Sequence, residues 1–155
     1  MILVECNPDA FLIRQLGFSR KMIKHEGGKG KVCEIVGKTS PSIGIVDEDP
    51  DSGQPAELAN YRITERAGSL TLMVNKKDPS KRIIQISPNL EHWLVERTKK
   101  NGIALKGYHL PEDSGALHDI PYIQDNLEFR ELLEEIINKD DEMKRMRDWI
   151  SGTSQ

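Results

Sequence analysis

Residues 42–53 read Ser-Ile-Gly-Ile-Val-Asp-Glu-Asp-Pro-Asp-Ser-Gly. A short apolar run ends in acids at alternate positions, Asp47, Asp49 and Asp51. Apolar runs of this length are buried strands, and open α/β sheets place their sites just outside the carboxyl ends of such strands. Carboxylates crowded there repel one another unless a cation holds them. An all-oxygen donor set favours Mg²⁺, Mn²⁺ or Ca²⁺ over zinc. The stretch therefore suggests a hard-metal site, with a solvated acidic turn as the competing reading. An EF-hand is excluded. Ser52 stands at the sixth position of such a loop, where glycine is required, and Leu58 at the twelfth, where a bidentate Glu belongs.

Toward the N-terminus, Ile2–Val4 is an apolar run ending in Glu5, which predicts a first strand. Asp9 is expected to cap a helix over 10–16 that Gly17 ends. A second strand is expected over 21–25, a tight glycine-rich loop over 27–31, and a short helix over 32–36. Strand, helix, strand, helix, strand within 46 residues predicts an α/β fold with a central, mainly parallel sheet flanked by helices. Glu5 ends the first strand as Asp47 ends the third. In a parallel sheet both ends face one edge, so Glu5, Asp47 and Asp49 are expected to converge, with a surface glutamate as the competing reading of Glu5.

Toward the C-terminus, a helix is expected over 56–62 and strands over 70–74 and 82–86. Asn89 is expected to cap a helix over 90–100 that Gly102 terminates. Glu91 lies in its first turn, where the helix dipole favours a carboxylate; a further metal ligand is the functional reading of the same residue. Residues 105–125 read as irregular. An amphipathic helix is expected over 127–138, with Leu127, Leu132, Leu133, Ile136 and Ile137 near one face. A last helix follows over 142–150. A single domain is expected over 1–150, with 151–155 as a mobile tail.

Gly27-Gly28-Lys29-Gly30-Lys31 has two readings. Glycines let backbone amides approach a phosphate closely, or they simply make a turn. It is no P-loop, because Val32 follows Lys31 in place of Ser or Thr and His25 stands where the first glycine belongs.

The chain has 155 residues, 30% of them charged and 37% hydrophobic, with a net charge of −3. It is not a strongly basic nucleic-acid binder, although Lys and Arg cluster locally in 20–38, 76–82 and 97–100. Cys6 and Cys33 lack any paired spacing, which argues against zinc and against a disulfide scaffold. No apolar run approaches transmembrane length, and the first residues lack the features of a signal peptide. A cytoplasmic protein is expected.

The order Glu5, Gly27-Gly28-Lys29-Gly30, Asp47-x-Asp49 resembles the Toprim domain of topoisomerases, primases, small ribonuclease-maturation enzymes and overcoming-lysogenization-defect nucleases. Val4-Glu5 followed by Asp9 is similar to the family's opening, and Asn89-Leu90-Glu91 to an acidic element of its small, nuclease-like branch. The resemblance implies a Rossmann-like domain with Mg²⁺- or Mn²⁺-dependent phosphodiester cleavage or phosphotransfer on DNA or RNA. Glu5 would bind metal or act as general acid/base. Asp47 and Asp49 would coordinate the cation, with Asp51 and Glu91 as additional ligands. The glycine-rich turn, Gly27 to Lys31, would approach phosphate through Lys29 and Lys31. Hydrolysis would use water rather than a protein nucleophile. Nucleases of the overcoming-lysogenization-defect type are fused to an ATPase, so the resemblance implies either a standalone chain or one that works with a separate ATPase partner, for instance in phage defence. Cys6 replaces the glycine that follows the family's Glu. That departure favours a second reading, a non-catalytic module that binds metal and nucleic acid or a partner protein.

Overall fold

Tertiary structure was obtained as a computed structural model, in which residues 1–152 are described. The strands are β1 (Ile2–Val4), β2 (Ile23–His25), β3 (Ser42–Asp47), β4 (Tyr61–Ala67), β5 (Leu70–Asn75) and β6 (Lys81–Ile86). The helices are α1 (Asn7–Gln15), α2 (Lys29–Lys38), α3 (Leu90–Lys100), α4 (Ser114–His118), α5 (Leu127–Lys139) and α6 (Asp141–Ser151). The strands make one six-stranded sheet in the order β2-β1-β3-β6-β5-β4. β2, β1, β3 and β6 run parallel, while β5 runs antiparallel to both β6 and β4. The expected α/β architecture with a mainly parallel, Rossmann-like sheet is present.

Side chains alternate across the sheet and sort the core into two layers. Ile2, Val4, Ile43, Ile45, Ile84 and Ile86 face one side, under α1, α3, α5 and α6. Leu3, Val46 and Ile83 face the other, under Val32, Cys33 and Val36 of α2. Gly44 of β3 lies directly beneath α2, where a Cβ would stand 2.8 Å from Val32 Cγ1. Glycine at this position lets α2 approach the strand closely.

Several elements differ from expectation. Residues 56–60 form a 3₁₀ turn, and the chain then extends into β4 rather than continuing a helix. β4 is mostly polar because it is the sheet's edge and faces water on much of its surface. Gly68, at φ 57°, makes the turn that folds β4 back onto β5. α2 begins at Lys29, so the C-terminal half of the expected loop is helical. Residues 105–125 are less irregular than expected and carry α4 and two 3₁₀ turns. Leu127 is 63% exposed and Phe129 takes its place in the core. Of the expected mobile tail, Ser151 closes α6 and Gly152 caps it at φ 77°; residues 153–155 lie outside the described residues. Among the described residues, no helix is long and apolar enough to cross a membrane.

Candidate active site

β1 and β3 are parallel neighbours, with Val4 opposite Ile45, so their chains leave the sheet at one edge. Glu5 follows β1, and its Oε2 accepts a 2.6 Å hydrogen bond from the Asp47 backbone N–H. Asp47 ends β3. Its Oδ1 accepts from the Leu90 N–H at 2.9 Å, a free donor of the first turn of α3. Asn89 makes that helix start there by accepting from the His92 N–H at 2.9 Å. Glu91, the next residue of α3, pairs with His118 Nδ1 at 3.1 Å.

Asp9 joins this group from below. α1 starts at Asn7 with Cys6 as its N-cap, not at Ala10 with Asp9 as cap. Asp9 sits in the first turn, where its Oδ2 accepts from the Cys6 N–H at 3.2 Å and the Cys6 thiol at 3.0 Å. It is only 3% exposed.

Burial, offset by the Asp47 amide and then reinforced by the Asp49 charge, raises the Glu5 carboxyl above the ordinary range. Burial and the charges of Glu5 and Glu91 push Asp9 up to about 7, against the favourable bonds from Cys6. Asp47 is pushed up to about 8 by burial, then by Asp9, Glu5, Glu91 and Asp49. Burial and the neighbouring Asp9 carboxylate hold the Cys6 thiol protonated, so it is no thiolate nucleophile. His118 is raised by its hydrogen bond to Glu91, which favours the imidazolium.

The structure places the glycine-rich segment beside this edge. Gly27 and Gly28 take φ of 71° and 143°, conformations that side chains rarely adopt. They turn the chain into α2 and send Lys29 inward. Its Nζ donates to the Glu48 carbonyl at 2.5 Å and to Gln54 Oε1 at 3.0 Å. Lys29 thus fastens the acidic loop to α2 rather than presenting its ammonium outward. Lys31 is exposed and lies 3.6 Å from Glu34, and Gly30 is an exposed residue of the first helical turn.

Asp49, at φ 44°, joins Asp47, Glu91 and His118 in lining a cavity of about 410 Å³. Asp51 is exposed on the turn beyond it, and the charges that weigh most on Asp47 come from the other acids. Glu5, Asp47, Asp49 and Glu91 are thus gathered at one edge, with Asp51 at its margin. Their all-oxygen chemistry fits a hard divalent cation, and such a cation would offset both the burial and the weaker repulsion between neighbouring acids that raise Glu5 and Asp47. Among the described residues, no three His, Cys, Asp or Glu side chains are already grouped as a metal cage.

Sequence reasoning left three members of this edge without a role in the site. Asp9 shows as a helix-start acid, but its burial comes from α1 doubling back at the end of β1. His118 carries no spacing signal because α4 brings it from a distant segment. Gln54 reaches the edge only through its bonds to Lys29 and to the Glu48 carbonyl, the latter at 3.1 Å. Compared with protein-family models, curated proteins and solved structures, the chain matches none.

Proposed function

We propose that the carboxyl edge of the sheet is a divalent-cation site, and that the chain is a Toprim-type, metal-dependent phosphodiesterase acting on DNA or RNA. One observation carries this reading. Glu5, Asp47 and Glu91 arrive from three separate elements at one strand edge, where Asp47 is pushed up to about 8 by burial and its acidic neighbours. Packing acids against one another costs stability, and a site that needs their shared charge gives a reason for it. Glu5, Asp47, Asp49 and Glu91 would hold the cation. When bound, it supplies Lewis-acid stabilisation of phosphoryl charge and a nucleophile at neutral pH.

The chain's own residues do the rest. Glu5 fixes the end of β3 through the Asp47 amide. The Leu90 amide orients one oxygen of Asp47 and leaves the other for a ligand. Lys29 holds the acidic loop in place from beneath. His118, whose imidazolium form is favoured by its hydrogen bond to Glu91, lines the same cavity and in that form can meet a phosphate oxygen or protonate a leaving oxygen.

A second reading has its own support. Cys6 fills the position after Glu5 with a side chain bonded to Asp9, and Lys29 is committed to the protein rather than to a ligand. Both suit a module that binds metal and nucleic acid, or a partner protein such as an ATPase, without cleaving. A cleavage assay on mixed DNA and RNA with Mg²⁺ or Mn²⁺, with Asp47→Asn alongside, separates the two. Metal-dependent cleavage lost in Asp47→Asn supports the nuclease. Metal binding by calorimetry with no cleavage of any substrate sinks it and leaves the binding module.

A further inference from the structure

Three clefts run side by side from the acidic edge, and they change character in order. The first is the cavity beside Asp47 and Asp49. It shares Glu91 and His118 with a second, of about 320 Å³. The second has an apolar floor of Leu94, Leu117, Ile123 and Phe129. All four are core residues at 6% exposure or less. Its rim carries Asn7, His25 and Gln124, and these same residues line the third cleft, of about 370 Å³. That third cleft is basic. Arg14 and Arg20 line it with no acidic residue, and neither arginine makes an ion pair among the described residues.

The order acid, apolar, basic matches a nucleic-acid strand with one base turned out of its stack. A phosphate held through a cation belongs at the acidic end. An unstacked base needs an apolar slot, stacking rings and amides along its edge. The second cleft offers these. Tyr122 stands at its mouth, 76% exposed and at φ 53°, a large ring left uncovered by the protein. The side-chain amides of Asn7 and Gln124 make no hydrogen bond among the described residues and so are free to meet base edges. The next phosphate then reaches Arg14 and Arg20, whose charge nothing in the cleft neutralises. Bases paired in a duplex cannot enter such a slot.

Resting on the phosphodiesterase reading, we propose that the substrate is a single strand, or a frayed end. Its base seats in the apolar cleft between α1, α3 and the 120–124 segment, and its neighbouring phosphate lies against Arg14 and Arg20. The face is a nucleotide subsite contiguous with the acidic edge but independent of its metal.

The test is fluorescence anisotropy in EDTA at low salt. The probes are a short labelled oligothymidylate, a matched oligouridylate, and the thymidylate paired with its complement. The wild type is expected to bind one or both single strands more tightly than the duplex, and the tighter of the two assigns DNA or RNA. Tyr122→Ala changes an exposed residue and should weaken single-strand binding about tenfold, the scale of one lost stacking contact. The double change Arg14→Gln, Arg20→Gln should weaken it and reduce the slope of log affinity against log salt by about 0.7, the value of one phosphate contact on a single strand. Lys77→Gln with Lys99→Gln removes equal charge elsewhere and should leave the slope nearer the wild type. Duplex bound as well as single strand, or an arginine variant no weaker than the lysine control, overturns the proposal. Single-strand binding through this face without cleavage under any metal would sink the nuclease and keep the subsite. Cleavage by a wild type whose arginine and tyrosine variants bind and cleave normally would do the reverse.

Discussion

Gly44 shows how one missing side chain sets the spacing of a layer. A Cβ at this position would stand 2.8 Å from Val32 Cγ1 and 3.1 Å from Val36 Cγ2. Both valines are fully buried, and β-branched side chains in a helix hold essentially one rotamer. They cannot swing aside, so α2 must move. Gly44→Ala is expected to destabilise by about 1–3 kcal/mol, seen as a lower urea midpoint with an unchanged m-value. Gly30→Ala is the contrast. A Cβ there meets nothing within 4 Å, so it should hold or raise stability, by up to about 1 kcal/mol. Single residues also mark where sequence reading stops. Glu5 and Asp47 were legible, because an acid at the end of an apolar run is visible from order alone. The burial of Asp9 and Lys29 was not. It depends on how α1 and α2 pack back against the sheet, and residue spacing does not encode depth.

Between elements, a charged network joins α3 to α6 away from the acidic edge. Glu142 lies in the first turn of α6, and its Oε1 accepts from Trp93 Nε1 and from the Ser69 N–H, each at 3.0 Å. Its other oxygen pairs with Arg97 of α3. Arg97 Nε also lies 3.3 Å from Asp140. That aspartate caps α6 through the Glu142 and Met143 amides at 3.1 Å. Arg97 and Glu142 side chains are only 12% and 13% exposed. Arg97→Met leaves two acids underneath with no cation and is expected to cost about 3–5 kcal/mol, measurable by urea denaturation. Glu142→Gln keeps an acceptor for Trp93 and Ser69 and should cost less. Helix ends such as those of α3 were legible to the residue, because Asn89 and Gly102 act within one turn. β4 was not, because its polar, water-facing pattern lacks an apolar run; only its pairing with β5 makes it a strand.

Over the whole molecule, the acidic edge makes stability depend on pH. Asp9 and Asp47 titrate near 7 and 8 when folded, against about 3.9 in an unfolded chain. The folded state therefore binds protons more tightly than the unfolded one. Their contribution is fully present below about pH 4 and is lost as pH rises through the folded values. Without divalent cations, the thermal midpoint should fall between about pH 5 and 8. Asp47→Asn should flatten that slope and raise the midpoint at the alkaline end. Comparing variant with wild type cancels the titrating groups remote from this edge, while Asp9, Glu5, Glu91 and Asp49 are relieved together with Asp47; an unchanged slope would refute the crowding of Asp47. Added Mg²⁺ should recover the wild type selectively near pH 8. At this scale the alternation of strand and helix in the first 46 residues made the parallel sheet legible. The clefts were not, because they form only where residues 105–125 fold across α1 and α3.

α3 is also a strut. Its first amide holds Asp47 and its third turn holds α6 through Arg97. Leu90 and Arg97, its two attachments, stand about 10 Å apart along the axis. Loosening α6 would free one end of the strut and let the other shift, so an alteration near residue 142 would be felt at the carboxylates near residue 47 without touching them.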